Sequence, residues 1–367
     1  MMGGPPPART GKKAGETQPL IDDSERPWYE LLAEADGTEE ASGLDAGLAL
    51  RTEVERYEAF RKKKETGDDK YMQQVLKSGT LSDKVAAMTL LVQESPVHRG
   101  AILEELLDFA RGGKRSSKMA IESLKDLFSK TLLPSTRRLA CVKDKRGSEK
   151  VLALLAFEEF LKTTYGQFVE TLEATSTKNA APELRAFAVE TAATLLEEKP
   201  ELEQRILAVI VNKLGDPEGS VSSKASAALT GLLKRHRAMT KIVANEVQAL
   251  AARPNVDTKA LYNAIAFLSQ IYLDKEHLAD VAASLCEMYV AFFKRAVEQN
   301  NNQNHKKTTS SNSTKKKKKK KMEETTAAAA SRRTSSPCCS RASEGPYPIA
   351  AAAAAAAAAT AAAGETK

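Results

Sequence analysis

Apolar side chains recur every three or four residues through the middle of the chain, from about residue 48 to residue 299. Val85, Met88, Leu91 and Val92, for example, fall on one face of a helix. This spacing is typical of amphipathic α-helices, whereas a half-buried strand would alternate apolar and polar residues. No segment alternates in that way with an enrichment in β-branched residues. The pattern therefore predicts an all-α domain over residues 48–299.

Several helix boundaries are marked by residues that start or stop helices. Thr80, followed three residues later by Asp83, resembles an N-capping box and predicts a helix that begins there. Pro96 predicts the end of that helix, because the residue before a proline is pushed out of the α conformation. A long helix is predicted from about 151 to 174, and Gly215-Asp216-Pro217 has the composition of a turn between helices.

The last part of this domain repeats with a period of about 37 residues. Ala188, Ala225 and Tyr262 are 37 residues apart, and each lies in a predicted helix that is followed by a second one. These predicted helices span residues 182–198, 201–214, 220–235, 239–251, 257–273 and 276–298. A fixed period of this size is the signature of stacked helix pairs. We therefore predict a HEAT/armadillo-like α-solenoid, which presents an extended surface and suits a binding scaffold.

The two ends of the chain differ in composition from this domain. Residues 1–47 are rich in Gly, Pro, Thr and acidic side chains, and we expect a mostly disordered N-terminal segment. Residues 300–367 contain runs of lysine and alanine, and we expect a disordered low-complexity tail. The short aromatic island Pro27–Leu32 has two interpretations, a docking peptide or a cap on the first repeat.

The net charge of +7 is distributed unevenly along the chain. Residues 301–367 contain thirteen Lys and Arg against four Glu, so the tail carries +9 and the rest of the chain −2. Nucleic-acid binding by the folded body would therefore depend on local clusters. In the tail, one lysine run suits a nuclear or nucleolar targeting signal, or equally a low-complexity expansion without a role. Its members are Lys315, Lys316, Lys317, Lys318, Lys319, Lys320 and Lys321.

Three basic clusters in the body are candidates for contact with nucleic-acid phosphates through release of counterions. Each cluster alone could equally be a solvated helix end or loop. Aromatic residues are not interleaved with them, so we expect contact with the backbone and little reading of base sequence. The candidate residues are Arg61, Lys62, Lys63, Lys64, Lys114, Arg115, Arg137, Arg138, Lys143, Lys145 and Arg146.

The sequence offers no combination of residues that predicts catalysis, a cofactor or a metal site. The four histidines are scattered, and none is spaced from another His or from Cys as metal ligands are. The segment from Gly215 to Ser220 has the wrong residue order for a phosphate-binding loop. None of the four cysteines forms a C-x-x-C pair, which fits a reducing compartment. We predict a protein that is not an enzyme, with neither a small-molecule substrate nor a membrane partner.

Five strings of residues, in order along the chain, resemble one protein family. The first covers residues 76–84 and continues at 90–98, and the others lie at 124–128 with 132–134, at 211–217 followed by 223–226, at 253–256 and at 288–293. Together they resemble the nucleolar complex (Noc) family, in the branch of CCAAT/enhancer-binding protein zeta. The resemblance covers about residues 70 to 297, with a divergence at 135–150. Family members continue into a carboxyl-terminal CCAAT-binding-factor domain, which we expect to be missing here.

The resemblance implies a nucleolar scaffold for assembly of the large (60S) ribosomal subunit. It implies helical repeats that associate with pre-ribosomal RNA, with ribosomal assembly proteins and with a second nucleolar-complex protein. Two other functions remain open from the residues. One is a CCAAT-box-associated transcription regulator, although no helix-turn-helix, zinc-ligand or basic-zipper pattern is present. The other is a peptide-binding adaptor of armadillo type.

Overall fold

The computed structural model describes residues 18–23, 26–35, 45–112, 115–140, 147–177, 179–254, 256–272, 279–294 and 297. Within these ranges every regular element is helical, and no strand is found, as the apolar spacing predicts. The helices are α1 (Trp28–Ala35), α2 (Ala46–Lys63), α3 (Gly67–Ser78), α4 (Leu81–Glu94), α5 (Gly100–Arg111), α6 (Arg115–Leu127), α7 (Glu149–Thr175), α8 (Pro182–Glu198), α9 (Glu203–Asn212), α10 (Gly219–Arg235), α11 (Thr240–Ala252) and α12 (Thr258–Ser269). A π-helical turn, Phe128–Leu132, follows α6 directly.

The packing divides the chain into two units, residues 1–265 and residues 266–367. In the first unit, helices contact their neighbours and their next-but-one neighbours in the chain, as in a stack of helix pairs: α8 packs on α9 and α10, and α9 on α11. The structure is thus an all-α helical solenoid. In the second unit, residues 279–294 are helical, with Val281 and Leu285 buried and Phe293 exposed.

Capping boxes start two of the helices, one of them at the predicted position. The Thr80 hydroxyl accepts a hydrogen bond from the Asp83 backbone N–H, and the Asp83 carboxylate accepts one from the Thr80 N–H, both at 3.3 Å. These bonds satisfy backbone donors that the first turn of a helix leaves unpaired. Thr66 and Asp69 form the same arrangement at the start of α3. The N-capping box predicted at Thr80 is therefore confirmed.

The repeat period changes after its first step. Helices α8 and α10 begin 37 residues apart, but α12 begins 39 residues after α10. Ala188, Ala225 and Ala264 are all fully buried, whereas Tyr262 is 61% exposed. The expectation that Tyr262 is equivalent to the two alanines is wrong, because α12 begins two residues later, counted from the start of α10, than a constant period of 37 requires.

A buried ion pair joins successive repeats. Arg185 on α8 donates to Asp216 at 3.0 Å, and Asp216 also accepts from the Glu218 backbone N–H at 3.0 Å. Both side chains are almost completely buried. The predicted turn is thus confirmed, and its aspartate holds α8 against the start of α10. Gly215 allows close packing there, because a Cβ at this position would lie 2.8 Å from the Cβ of Ala260.

The aromatic island is part of the core. The segment Pro27–Leu32 contains the start of α1 and most of its residues. Both α1 and α2 pack on α7. The Trp28 side chain is buried, its ring meets Phe157 edge-on at a centroid distance of 5.4 Å, and its indole N–H donates to the carbonyl of Leu132 at 2.9 Å. The structure thus places the island against the middle of the helical stack.

Candidate nucleic-acid interface

The first basic cluster lies at the carboxyl end of α2. It contains one arginine that pairs with carboxylates of the same chain, and three exposed lysines. The Arg61 guanidinium bonds to both Glu94 on α4 and Asp69 on α3. Three consecutive lysines, Lys62, Lys63 and Lys64, are exposed. Arg61 therefore holds three helices together, and the lysines are the part of this cluster that a phosphate can approach.

Two arginines of the predicted basic loop bond to carboxylates of the same chain. Arg137 bonds to the buried Glu158 on α7, and its guanidinium lies 5.9 Å from the centre of the Trp28 ring. Arg138 bonds to Glu203 on α9 and donates to the carbonyl of Pro200 at 3.0 Å. These contacts fasten the segment after α6 against α7 and the α8–α9 connection. The charge of each arginine is therefore partly neutralised by a carboxylate of the same chain.

The remaining candidates from the sequence fall at or outside the edges of the described residues. Arg115 is the first residue of α6. Lys114, Lys143, Lys145 and Arg146, together with the lysine run 315–321, lie outside the described residues. Their roles stay predictions.

The structure reveals a further basic surface that the sequence analysis missed. We call it the α10–α11 corner, and it comprises Lys234, Arg235, His236, Arg237 and Lys241. All five side chains are exposed. The eight residues from 234 to 241 contain four Lys or Arg and no acidic residue. This local density of positive charge could have identified the surface from the sequence. Because the cations are interrupted by Ala-Met-Thr, they do not form a conspicuous run.

Hydrogen bonds hold the corner in place. Arg235 pairs with Glu197 at the end of α8 at 3.0 Å, and His236 Nε2 donates to the backbone carbonyl of Glu197 at 2.9 Å. The Thr240 hydroxyl donates to the carbonyl of Arg237 at 2.7 Å. Arg138 donates to the carbonyl of Pro200, three residues after Glu197. The fold thus brings residues 138 and 235 to neighbouring positions of the chain at the end of α8, although the sequence separates them widely.

A cluster of buried polar residues contains an imidazole, a hydroxyl and two carboxylates. Ser95 Oγ lies 2.7 Å from His98 Nδ1 and donates to Asp23 at 2.7 Å. Glu53 lies 3.5 Å from His98 Nε2 and accepts from the Ile21 backbone N–H at 2.8 Å. Since the Ser95 proton points to Asp23, the imidazole must donate to the hydroxyl and does not act as its base. This arrangement fastens the segment 18–23 to α2 and to the α4–α5 turn.

Burial and neighbouring charges act in opposite directions on this cluster. Burial lowers the pKa of His98, but hydrogen bonds and charges from Asp23 and Glu53 outweigh it and raise that pKa above its ordinary 6.5. Burial raises the pKa of Glu53, but the bonds from His98 and from the Ile21 backbone outweigh it and lower that pKa below 4.5. The pair is therefore stabilised in its charged form.

Comparison with known proteins finds no family model that matches the chain, but several curated relatives. The chain is 35% identical to human CCAAT/enhancer-binding protein zeta over 244 residues, which is 62% of this chain and 23% of the relative. It is 28% identical to nucleolar complex protein 1 of Drosophila melanogaster, over 78% of this chain and 26% of the relative. It is 32% identical to ribosome biogenesis protein NOC1 of Chaetomium thermophilum, over 61% and 24%.

The chain belongs to the nucleolar complex (Noc) and CCAAT/enhancer-binding protein zeta family. It spans about a quarter of the length of the curated relatives that it matches.

The strings that resemble this family contain buried polar residues of the fold. Ser95 and His98, from the first string, belong to the buried cluster. Asp216, from the third, pairs with Arg185. By contrast, the exposed cations of the α10–α11 corner lie outside the five strings.

Two further features of the described residues concern metal binding and membrane insertion. Within the described ranges, no three His, Cys, Asp or Glu side chains are grouped so that they could hold a metal ion. Among the described helices, none is both long and apolar enough to cross a lipid bilayer.

Proposed function

We propose that this chain acts as a nucleolar scaffold in ribosome biogenesis, without a reaction of its own. The observation that carries the proposal is its similarity to nucleolar complex protein 1 and to ribosome biogenesis protein NOC1, each over more than 60% of the chain. The helical repeats support it, because stacked helix pairs provide long surfaces for macromolecular partners.

Within this role, we propose association with precursors of the large (60S) subunit, through pre-ribosomal RNA and a second nucleolar-complex protein. Lys62, Lys63 and Lys64 would contact phosphates, because they are exposed and adjacent on one helix end. Such contacts position a protein on RNA without reading its sequence. We further propose that the lysine run 315–321 directs the chain to the nucleus and nucleolus.

Sedimentation of a tagged chain on sucrose gradients at low salt tests the scaffold role. We expect the chain in fractions with large-subunit precursor RNA and depleted from fractions with small-subunit precursors. Recovery only at the top of the gradient would contradict the proposal. Replacing Lys315–Lys321 with glutamine should reduce nucleolar retention in imaged cells while leaving the thermal melting curve unchanged.

A second candidate function follows from the name of the mouse and human relatives, CCAAT/enhancer-binding protein zeta. A gel-shift assay that compares a duplex containing CCAAT with a scrambled duplex separates the two functions. The scaffold role predicts equal, salt-sensitive binding to both duplexes. A clear preference for the CCAAT duplex at physiological salt would instead support a transcription regulator.

A further inference from the structure

We propose that a groove beside the first basic cluster binds one unpaired base of an RNA strand. The groove, which we call the α3–α4 groove, has a volume of about 570 Å³ and lies where α3 and α4 meet the carboxyl end of α2. The proposal rests on the association with pre-ribosomal RNA proposed above, and it adds a base site to the phosphate contacts of Lys62, Lys63 and Lys64.

The groove has an apolar lining that the fold leaves open to solvent. Phe60 and Met72 are partly buried, and Leu90 is 56% exposed, although all three line the groove. Helix α3 packs on α4 but contributes no buried residue of its own. Covering such a surface with the flat, apolar face of a base removes apolar area from water and is favourable.

The polar lining suits the edge of a base rather than a phosphate. Three carboxylates line the groove, those of Asp68, Asp69 and Glu94. Arg61 bonds to Asp69 and Glu94, whereas Asp68 is exposed and forms no ion pair with a described residue. An ionised carboxylate only accepts hydrogen bonds, so it can pair with the amino group of guanine, adenine or cytosine but repels a phosphate. Uracil, which lacks an amino group, fits less well.

The phosphates that flank such a base have cations within reach. Lys64 lines the groove, and its ammonium lies 4.3 Å from the centre of the Phe60 ring. Lys63 and Lys64 follow Phe60 by three and four residues, so the three side chains share one face of the helix end. Within the described residues, neither Lys62 nor Lys63 forms an ion pair. Cations beside an apolar surface are the arrangement with which proteins hold single-stranded nucleic acid.

The size of the groove favours a base over a helix of a partner protein. Its volume lies in the range of sites for small organic groups. A docked helix inserts several apolar side chains along an extended groove. The apolar lining formed by Phe60, Met72 and Leu90 is instead one patch, which the ion pairs of Arg61 border.

Three RNA probes test the groove with the full-length chain. Each is a ribose-phosphate backbone of twelve units, without bases, with a single guanosine, or with a single uridine at its centre. All three carry the same charge, so differences in affinity report the base alone. We expect the wild-type chain to bind the guanosine probe about 5-fold more tightly than the probe without bases, and the uridine probe about 2-fold more tightly.

Two variants alter the lining. Phe60→Ala with Leu90→Ala should reduce the gain from guanosine to less than about 2-fold, while binding of the backbone without bases stays within about 2-fold because no charge changes. Unchanged backbone binding also shows that this variant is folded. Asp68→Ala should reduce the gain from guanosine to that from uridine.

A matched control removes two apolar side chains outside the groove. Tyr71→Ala with Leu81→Ala deletes side chains that are 67% and 51% exposed and do not line the groove. This control should keep the full gain from guanosine. Equal binding of the guanosine probe and the probe without bases by the wild-type chain would overturn the proposal. A full gain in the Phe60–Leu90 variant would also overturn it and would leave the groove to a protein partner.

The lysines separate this proposal from the proposed function. Lys62→Gln with Lys63→Gln should weaken binding of all three probes alike and reduce the salt slope by about 1.4, from two contacts at roughly 0.7 each, while the ratio between probes is unchanged. Failure of the wild-type chain to sediment with precursor particles, together with a guanosine gain that the Phe60–Leu90 variant loses, would contradict the scaffold role and support the groove. Sedimentation with those particles without any guanosine gain would do the reverse.

Discussion

The indole N–H of Trp28 donates a 2.9 Å hydrogen bond to the carbonyl oxygen of Leu132, which lies 104 residues further along the chain. The acceptor is the last residue of the π-helical turn, whose wider winding follows α6 directly. One side chain near the amino terminus therefore satisfies a backbone group at the end of a helix in the middle of the stack. We conclude that the segment around α1 contributes to the stability of the body.

Trp28→Ala should lower the free energy of unfolding by about 3–5 kcal/mol, because it leaves a cavity beside Phe157 and an unpaired carbonyl. Urea denaturation followed by circular dichroism measures this change. Tyr71→Ala is the matched control, since Tyr71 is 67% exposed and should change stability by less than about 0.5 kcal/mol. Similar values for the two variants would contradict the burial of Trp28 against Phe157.

Asp216→Ala should cost about 3–5 kcal/mol, because it leaves the buried guanidinium of Arg185 without its carboxylate. Glu173→Ala removes the carboxylate of an ion pair with Arg205, but that pair is partly exposed and should be worth less than about 1 kcal/mol. Chemical denaturation of both variants gives the comparison. A loss below 1 kcal/mol for Asp216→Ala would show that the ion pair does not join the repeats.

Two glycine substitutions should change stability in opposite directions. Gly215→Ala should destabilise the protein by about 1–3 kcal/mol, since its Cβ would lie 2.8 Å from that of Ala260. Gly166→Ala should stabilise it by up to about 1 kcal/mol, because the site lies inside α7 and a Cβ there meets nothing within 4 Å. Thermal melts of both variants test this, and adding Ala260→Gly to the first variant should restore part of the loss.

The buried cluster predicts how stability depends on pH. The pKa of His98 is higher in the folded state than in the unfolded chain, so its contribution is complete below pH 6.5 and is lost as pH rises through the folded pKa. The pKa of Glu53 is lower in the folded state, so its contribution is present above pH 4.5 and is lost as pH falls through its folded pKa. Stability from this cluster is therefore greatest between these values.

Urea denaturation between pH 5.5 and pH 9 measures the histidine part. The wild-type free energy of unfolding should fall across this range, and His98→Gln should flatten the fall. The fall should persist in His236→Gln, because His236 is exposed and does not belong to the cluster. An identical slope in wild type and His98→Gln would show that folding does not raise the pKa of His98.

Helix positions were predictable because the information for them is local. Apolar spacing, the Thr80–Asp83 cap and the turn at Gly215 each act within a few residues, and α8 begins and ends where the pattern predicts, at 182 and 198. The failure at Tyr262 is also local in origin. A fixed period of 37 assumes that each helix pair with its connections has the same length. The stretch from the start of α10 to the start of α12 is two residues longer, so Tyr262 lies in solvent while Ala264 takes the buried place.

The basic residues show what sequence could not decide. Arg61, Lys62 and Lys63 are consecutive basic residues, and the sequence does not distinguish their roles. Only the fold places Glu94 and Asp69 against the Arg61 side chain. In the same way, the corner at 234–241 becomes a surface only because α10 and α11 meet there with their charged ends exposed.

The sequence by itself determined the helical class, most helix boundaries and the family, since these depend on residue types and short spacings. Tertiary structure decided the contact between Trp28 and Leu132, the pairing of Arg185 with Asp216, and which cations remain exposed. The physical reason is that charge pairing and burial depend on distances across helices, and residues that are 31 or 104 positions apart acquire those distances only when the helices pack.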